Sequence, residues 1–155
     1  MTLVQALDAE DPVPLLVDLL PRDPASDWSP EQVKLEELMF FYARIYGGGL
    51  SHAISAAADG SIPEALRLAK TYGDAAVVSW VADLERYFAG EVLFAPKSER
   101  EDWEAGYNDS PDDRFEALYT ASHRLETSLG RAICQYVREH LSVFESAWPV
   151  SRGAA

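Results

Sequence analysis

SPEQVKLEELMFFYARIYGGGLSH, residues 29–52, holds in one line the two signals that decide the fold: an apolar stripe at helical spacing and a glycine run that interrupts it. Ser29 stands before Pro30 and Glu31 with Gln32 three residues on, the arrangement of a helix N-cap followed by proline at the first helical position. Leu35, Leu38, Met39, Tyr42, Ile45 and Tyr46 recur in steps of three and four, so one face of this helix turns toward a core. Gly47, Gly48 and Gly49 then end it, because glycine takes positive φ without strain and lets the chain reverse tightly. Leu50, Ile54 and Ala57 resume helical spacing at once. A phosphate-binding loop does not fit here, since it follows a strand and ends in lysine and a hydroxyl residue. An anion at the N-terminus of the second helix, beside Ser51 and His52, is the ligand-binding alternative.

Forward of this stretch the helical periods continue. Asp59-Gly60 gives a stop, Pro63 to Tyr72 a third helix, Gly73 its end, and Asp74 the cap of a fourth that buries Val77, Val81, Leu84 and Phe88. Gly90 ends that helix, and EVLFAP (91–96) reads as a brief extended piece. Ser98 begins an acidic segment anchored by Trp103 and Tyr107, and Asp112-Asp113 starts the next helix, where negative charge meets the positive end of the dipole. From Phe115 through Leu118, Ser122, Leu125, Leu129, Ile133, Tyr136, Val137 and Leu141 to Phe144 the stripe runs unbroken. This predicts one C-terminal helix of about thirty residues, bent near Gly130. Backward, Pro12 to Leu20 forms a short helix before the proline-rich connection PRDPASDWSP. The expectation is an all-α, single-domain bundle of about six to eight helices with a long C-terminal helix. Residues 1–28 form an N-terminal extension with a short helix, 29–148 the helical domain, and 149–155 a disordered tail.

The chain has 155 residues, 48% of them apolar and 25% charged, enough for one domain that buries roughly two thirds of its unfolded surface. Its one cysteine excludes an internal disulfide and suits a reducing cytoplasm. No segment has the length and continuity of a membrane span, so a soluble cytoplasmic protein is expected. The net charge of −13 repels nucleic acid and anionic lipid, and neither is expected as a direct partner. The acids are unevenly spread. Residues 1–37 hold 9 acidic and 2 basic side chains and residues 83–116 hold 11 and 4, so each block carries −7.

Catalytic patterns are missing from the sequence. His52, His123 and His140 form no helical pair and have no cysteine beside them, so no metal is implied. Cys134 has neutral neighbours and reads as a small core residue. Adjacent Asp112 and Asp113 do not by themselves set two carboxylates across a substrate. No cofactor is implied and the chain is not read as an enzyme.

The order of elements is similar to that of a bacterial family. An amphipathic helix, a Gly-Gly turn leading into a short helix, PEALRLAKTYGD (63–74), a further amphipathic helix, DDRFEAL (112–118) and YVREH (136–140) together resemble the DNA mimic protein 19-like family, also called domain of unknown function 4375. The resemblance spans about residues 29 to 144. The family turn reads Asn-Gly-Gly-Phe followed by glutamine, aromatic residues and asparagine. Here Gly47, Gly48, Gly49 and Leu50 stand in its place, then His52, Ala53 and Ile54, so the glycines are kept while the polar and aromatic flanks differ. Gly73, Asp112-Asp113 before Phe115, and Tyr136-Val137 match more closely. The resemblance implies an all-α fold and a dimeric acidic protein that imitates DNA and blocks a helix-turn-helix regulator.

On that reading the partner is a basic protein such as a DNA-binding regulator, and a homodimer is expected. Duplex DNA carries a charge about every 1.7 Å of axis, while carboxylates three or four residues apart on a helix lie about 5 to 6 Å apart. Surface acids therefore imitate a phosphate row when helices align them. The candidate partner-binding residues are Glu99, Glu101, Asp102, Glu104, Asp109, Asp112, Asp113 and Glu116, with Asp23, Asp27, Glu31, Glu36 and Glu37 as a second group. Two other readings stay open on the residues alone. One is a small-ligand binder or helical enzyme using Gly47, Gly48, Gly49, Ser51 and His52. The other is a structural or immunity-type interaction protein whose apolar groove receives a partner helix.

Overall fold

The computed structural model describes residues 1–23 and 27–149, so the tail expected at 149–155 falls, apart from Pro149, outside the described residues. Every regular element among them is helical: α1 Leu3–Leu7, α2 Val13–Leu16 running into a 3-10 turn at Val17–Leu19, α3 Pro30–Gly48, α4 Leu50–Ala56, α5 Ser61–Tyr72, α6 Ala75–Phe88, α7 Glu91–Phe94, α8 Lys97–Asp109, α9 Asp113–His123, α10 Glu126–Glu139 and α11 Leu141–Ala147. The all-α expectation holds, but the described residues make eleven α-helices where six to eight were expected. None of these helices is long and apolar enough to cross a membrane.

The helix starts follow the sequence closely. Ser29 and Gln32 form the reciprocal capping box of α3, the Ser29 hydroxyl accepting from the Gln32 amide at 3.1 Å and the Gln32 side chain accepting from the Ser29 amide at 3.0 Å. Asp74 accepts from the Val77 amide at 3.0 Å to start α6, and Asp112 from the Arg114 amide at 2.8 Å to start α9. A second capping box, Thr2 with Gln5, begins α1, a helix the periodicity did not suggest.

Three differences have physical causes. The long C-terminal helix is divided into α9, α10 and α11, with its breaks away from Gly130, which is buried inside α10. Its stripe is nonetheless the buried one, from Phe115 through Leu125, Leu129, Ile133 and Val137 to Phe144. The first break comes where distant side chains take the carbonyls of the last turns of α9. The Trp80 indole donates to the Leu118 carbonyl at 3.0 Å and the Tyr46 hydroxyl to the Ser122 carbonyl at 2.8 Å. Satisfied from outside, that helix end needs no continuation. EVLFAP is likewise no extended piece, because Ala89 and Gly90, both left-handed at φ 49° and 80°, reverse the chain straight into the single helical turn α7. Finally, the turn after α3 is made by one glycine. Gly47 and Gly48 remain helical, and only Gly49, at φ 95°, leaves the helix and serves at once as C-cap of α3 and N-cap of α4.

α3 lies at the centre, packed on α4, α5 and α10, while α5 packs on α6 and α10 and α6 on α9. Leu35, Leu38, Ile45, Leu50, Ile54, Leu66, Val81, Leu84, Leu129 and Ile133 form one core with Phe115 and Phe144. Each such side chain contributes about 1.5–3 kcal/mol of burial. Leu3, Leu7, Val13, Leu16 and Leu19 belong to that same core, so the N-terminal segment is built into it.

Candidate partner-binding face

α8 carries the densest run of acids, and its position is set by a base. Arg100 is 1% exposed, on the same face of α8 as the half-buried Trp103 and Tyr107. Its guanidinium donates from Nη1 to the Ile54 carbonyl at 2.6 Å, from Nη2 to the Ala57 carbonyl at 2.7 Å, and from Nε to the Ala95 carbonyl at 3.0 Å. The first two bonds satisfy carbonyls at the C-terminal end of α4, against which α8 packs, and the third satisfies the carbonyl of Ala95, the C-cap of α7. Asp59 completes the fastening: one carboxylate oxygen accepts both from Arg100 Nη2 at 3.1 Å and from the Lys97 amide, in the first turn of α8, at 2.7 Å. Arg100 was counted in the sequence only as one of four bases diluting an acidic block. The step of three, then four, through Arg100, Trp103 and Tyr107 was the signal that it faces inward.

With Arg100, Trp103 and Tyr107 turned inward, Glu99, Glu101, Asp102 and Asp109 are exposed and Glu104 is half-buried at the flank. Glu101 lies 3.7 Å from Lys97, whereas Glu99, Asp102, Glu104 and Asp109 form no ion pair among the described residues. The face continues onto α9. Trp103 and Tyr107 stack at 5.7 Å and both meet the Phe115 ring, at 5.1 and 4.8 Å, which locks the end of α8 to the start of α9. Asp113 and Glu116 are exposed on that first turn, and Asp112 beside them is half-buried.

Asp112 accepts from the Tyr87 hydroxyl at 2.9 Å, and this bond, followed by the Arg114 amide, holds its carboxyl below the usual range. Tyr87 is pushed up to about 12 by burial and by that same carboxylate. Tyr107 donates to Glu116 and is likewise pushed up to about 12, burial being the larger cause. A cleft of about 320 Å³ opens between these elements, walled by Tyr87, Trp103 and Tyr107 with Asp102 and Asp112 at its edge. Carboxylates beside aromatic faces suit a cation.

The second acidic group sits elsewhere. Asp23 and Asp27 are exposed on either side of residues 24–26, which lie outside the described residues. Glu31, Glu36 and Glu37 are half-buried along the first half of α3. Burial, then Glu37, raises the Glu36 carboxyl, while Arg44 opposes the shift. α8 packs chiefly on α4 and α7, so no major helix contact joins this group to the first.

The glycine turn offers no comparable site. A Cβ at Gly48 would lie 2.5 Å from the His52 ring and one at Gly49 2.9 Å from the Tyr119 ring, so these two positions are spaced for close packing, whereas a Cβ at Gly47 would meet open space. Ser51 is half-buried and His52 exposed, and residues 47–52 line none of the surface cavities of about 620, 830, 270 and 320 Å³. Cys134 is 6% exposed and its thiol is pushed up by burial, as suits a core residue. Among the described residues no group of three or more His, Cys, Asp or Glu side chains is placed to hold a metal ion. No protein-family model, curated protein or solved structure matches the chain.

Proposed function

We propose that this chain is an acidic binding module that sequesters a basic, DNA-binding protein, with the α8–α9 face standing in for a row of phosphates. The observation that carries this reading is the outer stripe of α8. Glu99, Asp102 and Asp109 are exposed there without ion pairs among the described residues, on a helix whose inner face is fastened by a buried arginine. At a rise of 1.5 Å per residue, Asp102 lies about 4.5 Å and Asp109 about 15 Å along the axis from Glu99. Asp113 and Glu116 extend the row onto α9. Because Arg100 and Asp59 fix the helix, the backbone that carries its carboxylates is in place before a partner arrives, which lowers the entropy cost of binding. The cleft walled by Tyr87, Trp103 and Tyr107 suits a lysine or arginine side chain of such a partner. The resemblance to the DNA mimic protein 19-like family favours the same function.

Capture from lysate at low and at high ionic strength tests the reading. Basic DNA-binding proteins are retained at low salt and released as salt rises, since the contacts lie between exposed charges. Retention that ignores salt, or retention of no basic protein at low salt, contradicts it.

A further inference from the structure

On a chain with twice as many acids as bases, three arginines line one open groove between α6 and α9, of about 620 Å³. That volume is within the range of small-molecule sites. The two helices run antiparallel, because Trp80 meets Leu118 and Tyr87 meets Asp112. Arg86 and Arg114 therefore stand at one end of the groove and Arg124 at the other. A step of ten residues leads from Arg114 to Arg124, the C-cap of α9, about 15 Å along the axis. Between them small side chains, Ala76, Ala117 and Ala121, leave the space open beside Leu118.

Local structure accounts for these cations unequally. Arg124 ends α9, where the helix dipole favours positive charge, but Arg114 is in the first turn, where the dipole opposes it. Arg114 lies over the Tyr87 ring at 5.5 Å and makes no ion pair among the described residues. Arg124 is exposed and likewise forms none. Arg86 is held by Asp83 at 2.8 Å.

We infer that this groove binds an elongated organic dianion, apolar in its middle and bearing a carboxylate or phosphate at each end. One anionic end meets Arg114 and Arg86, the apolar body lies over the alanines and Leu118, and the other end meets Arg124. Guanidinium groups favour such oxyanions because their paired N–H donors match two oxygens. The site is separate from the acidic outer stripe of α8 and does not depend on the function proposed above.

The test is calorimetric titration of the full chain at low ionic strength with octanedioate, octanoate and octane-1,8-diol. Octanedioate should bind about tenfold more tightly than octanoate, and octanoate more tightly than the diol. Arg114→Gln and Arg124→Gln should each reduce octanedioate to the affinity of octanoate, and the double variant to that of the diol. Arg131→Gln, outside the groove, should change nothing, and Asp83→Asn should tighten binding by freeing Arg86. Circular dichroism melts check that each variant is folded. Equal affinity of the wild-type chain for dianion and diol, no binding of octanedioate, or binding unaltered in the folded double variant overturns the assignment.

Discussion

Arg100 donates to the Ile54 carbonyl at 2.6 Å across 46 residues of chain, and that bond, with its neighbour to Ala57, decides where the acidic helix lies. The base in an acidic segment is thus the residue that turns the acids outward. Removing it should cost more than removing its ion-pair partner. Arg100→Leu leaves two buried carbonyls unpaired and should lower stability by about 3 kcal/mol. Asp59 is 69% exposed, so Asp59→Ala should cost about 1 kcal/mol or less. Arg100→Lys should fall between them. Urea unfolding followed by tryptophan fluorescence measures all three, and equal losses at Arg100 and Asp59 would contradict the clamp.

The glycine run separates two kinds of position. Gly47 is helical with open space at its Cβ, so Gly47→Ala should stabilise by about 0.5–1 kcal/mol. Gly49 has φ 95° and the Tyr119 ring at 2.9 Å from a Cβ, so Gly49→Ala should destabilise by more than 1 kcal/mol. Thermal melts of the two variants should move in opposite directions.

Tyr46→Phe and Trp80→Phe each remove the donor that satisfies a carbonyl in α9. Each should cost about 1–2 kcal/mol. Amide hydrogen exchange should also quicken around Ser122 to Leu129, where α9 gives way to α10, more than it does in α5.

Two groups of titrating residues give stability opposite pH limits. The carboxyls of Asp74 and Asp112 are depressed, Asp74 chiefly by the Val77 amide and Asp112 by the Tyr87 hydroxyl, both from an ordinary value of 3.8. Their contribution is therefore present above pH 3.8 and is lost as pH falls through the lower folded values. Tyr42, Tyr87 and Tyr107 are raised from 10.0 to about 12, so their contribution is complete below pH 10.0 and is lost as pH rises toward 12. Absorbance at the phenolate band should show these phenols ionising together with alkaline unfolding. Glu36 runs the other way from the aspartates: raised by burial and Glu37, it weakens the fold when ionised. Glu36→Gln should stabilise at neutral pH and lose that advantage below its ordinary 4.5.

What the sequence disclosed and what it hid differ by distance along the chain. Ser29 with Gln32, Asp74 and Asp112 were legible because a cap and the amide it accepts from lie two or three residues apart. The stripe Leu125, Leu129, Ile133 and Val137 was legible because burial repeats with the helix. The break between α9 and α10 was not, since Tyr46 and Trp80 create it from 76 and 38 residues away. What Arg100 bonds to was hidden for the same reason. Its partners are carbonyls, which every residue has, and only the fold says which of them lack a donor. The acids of α8 could be named in advance, but the side of the helix they share follows from the base among them.

The most direct measurement compares the wild-type chain with a Glu99→Gln, Asp102→Asn, Asp109→Asn variant, each immobilised, exposed to lysate at low ionic strength and then challenged with duplex DNA. The substitutions lie on the exposed stripe and leave Arg100 in place, so the variant should melt like the wild type. Basic DNA-binding proteins should be retained by the wild type, be displaced by duplex DNA, and be held at least about tenfold less by the variant, as expected when exposed charge carries the contact. Equal retention of the same proteins by both chains, or retention that duplex DNA does not displace, would contradict it.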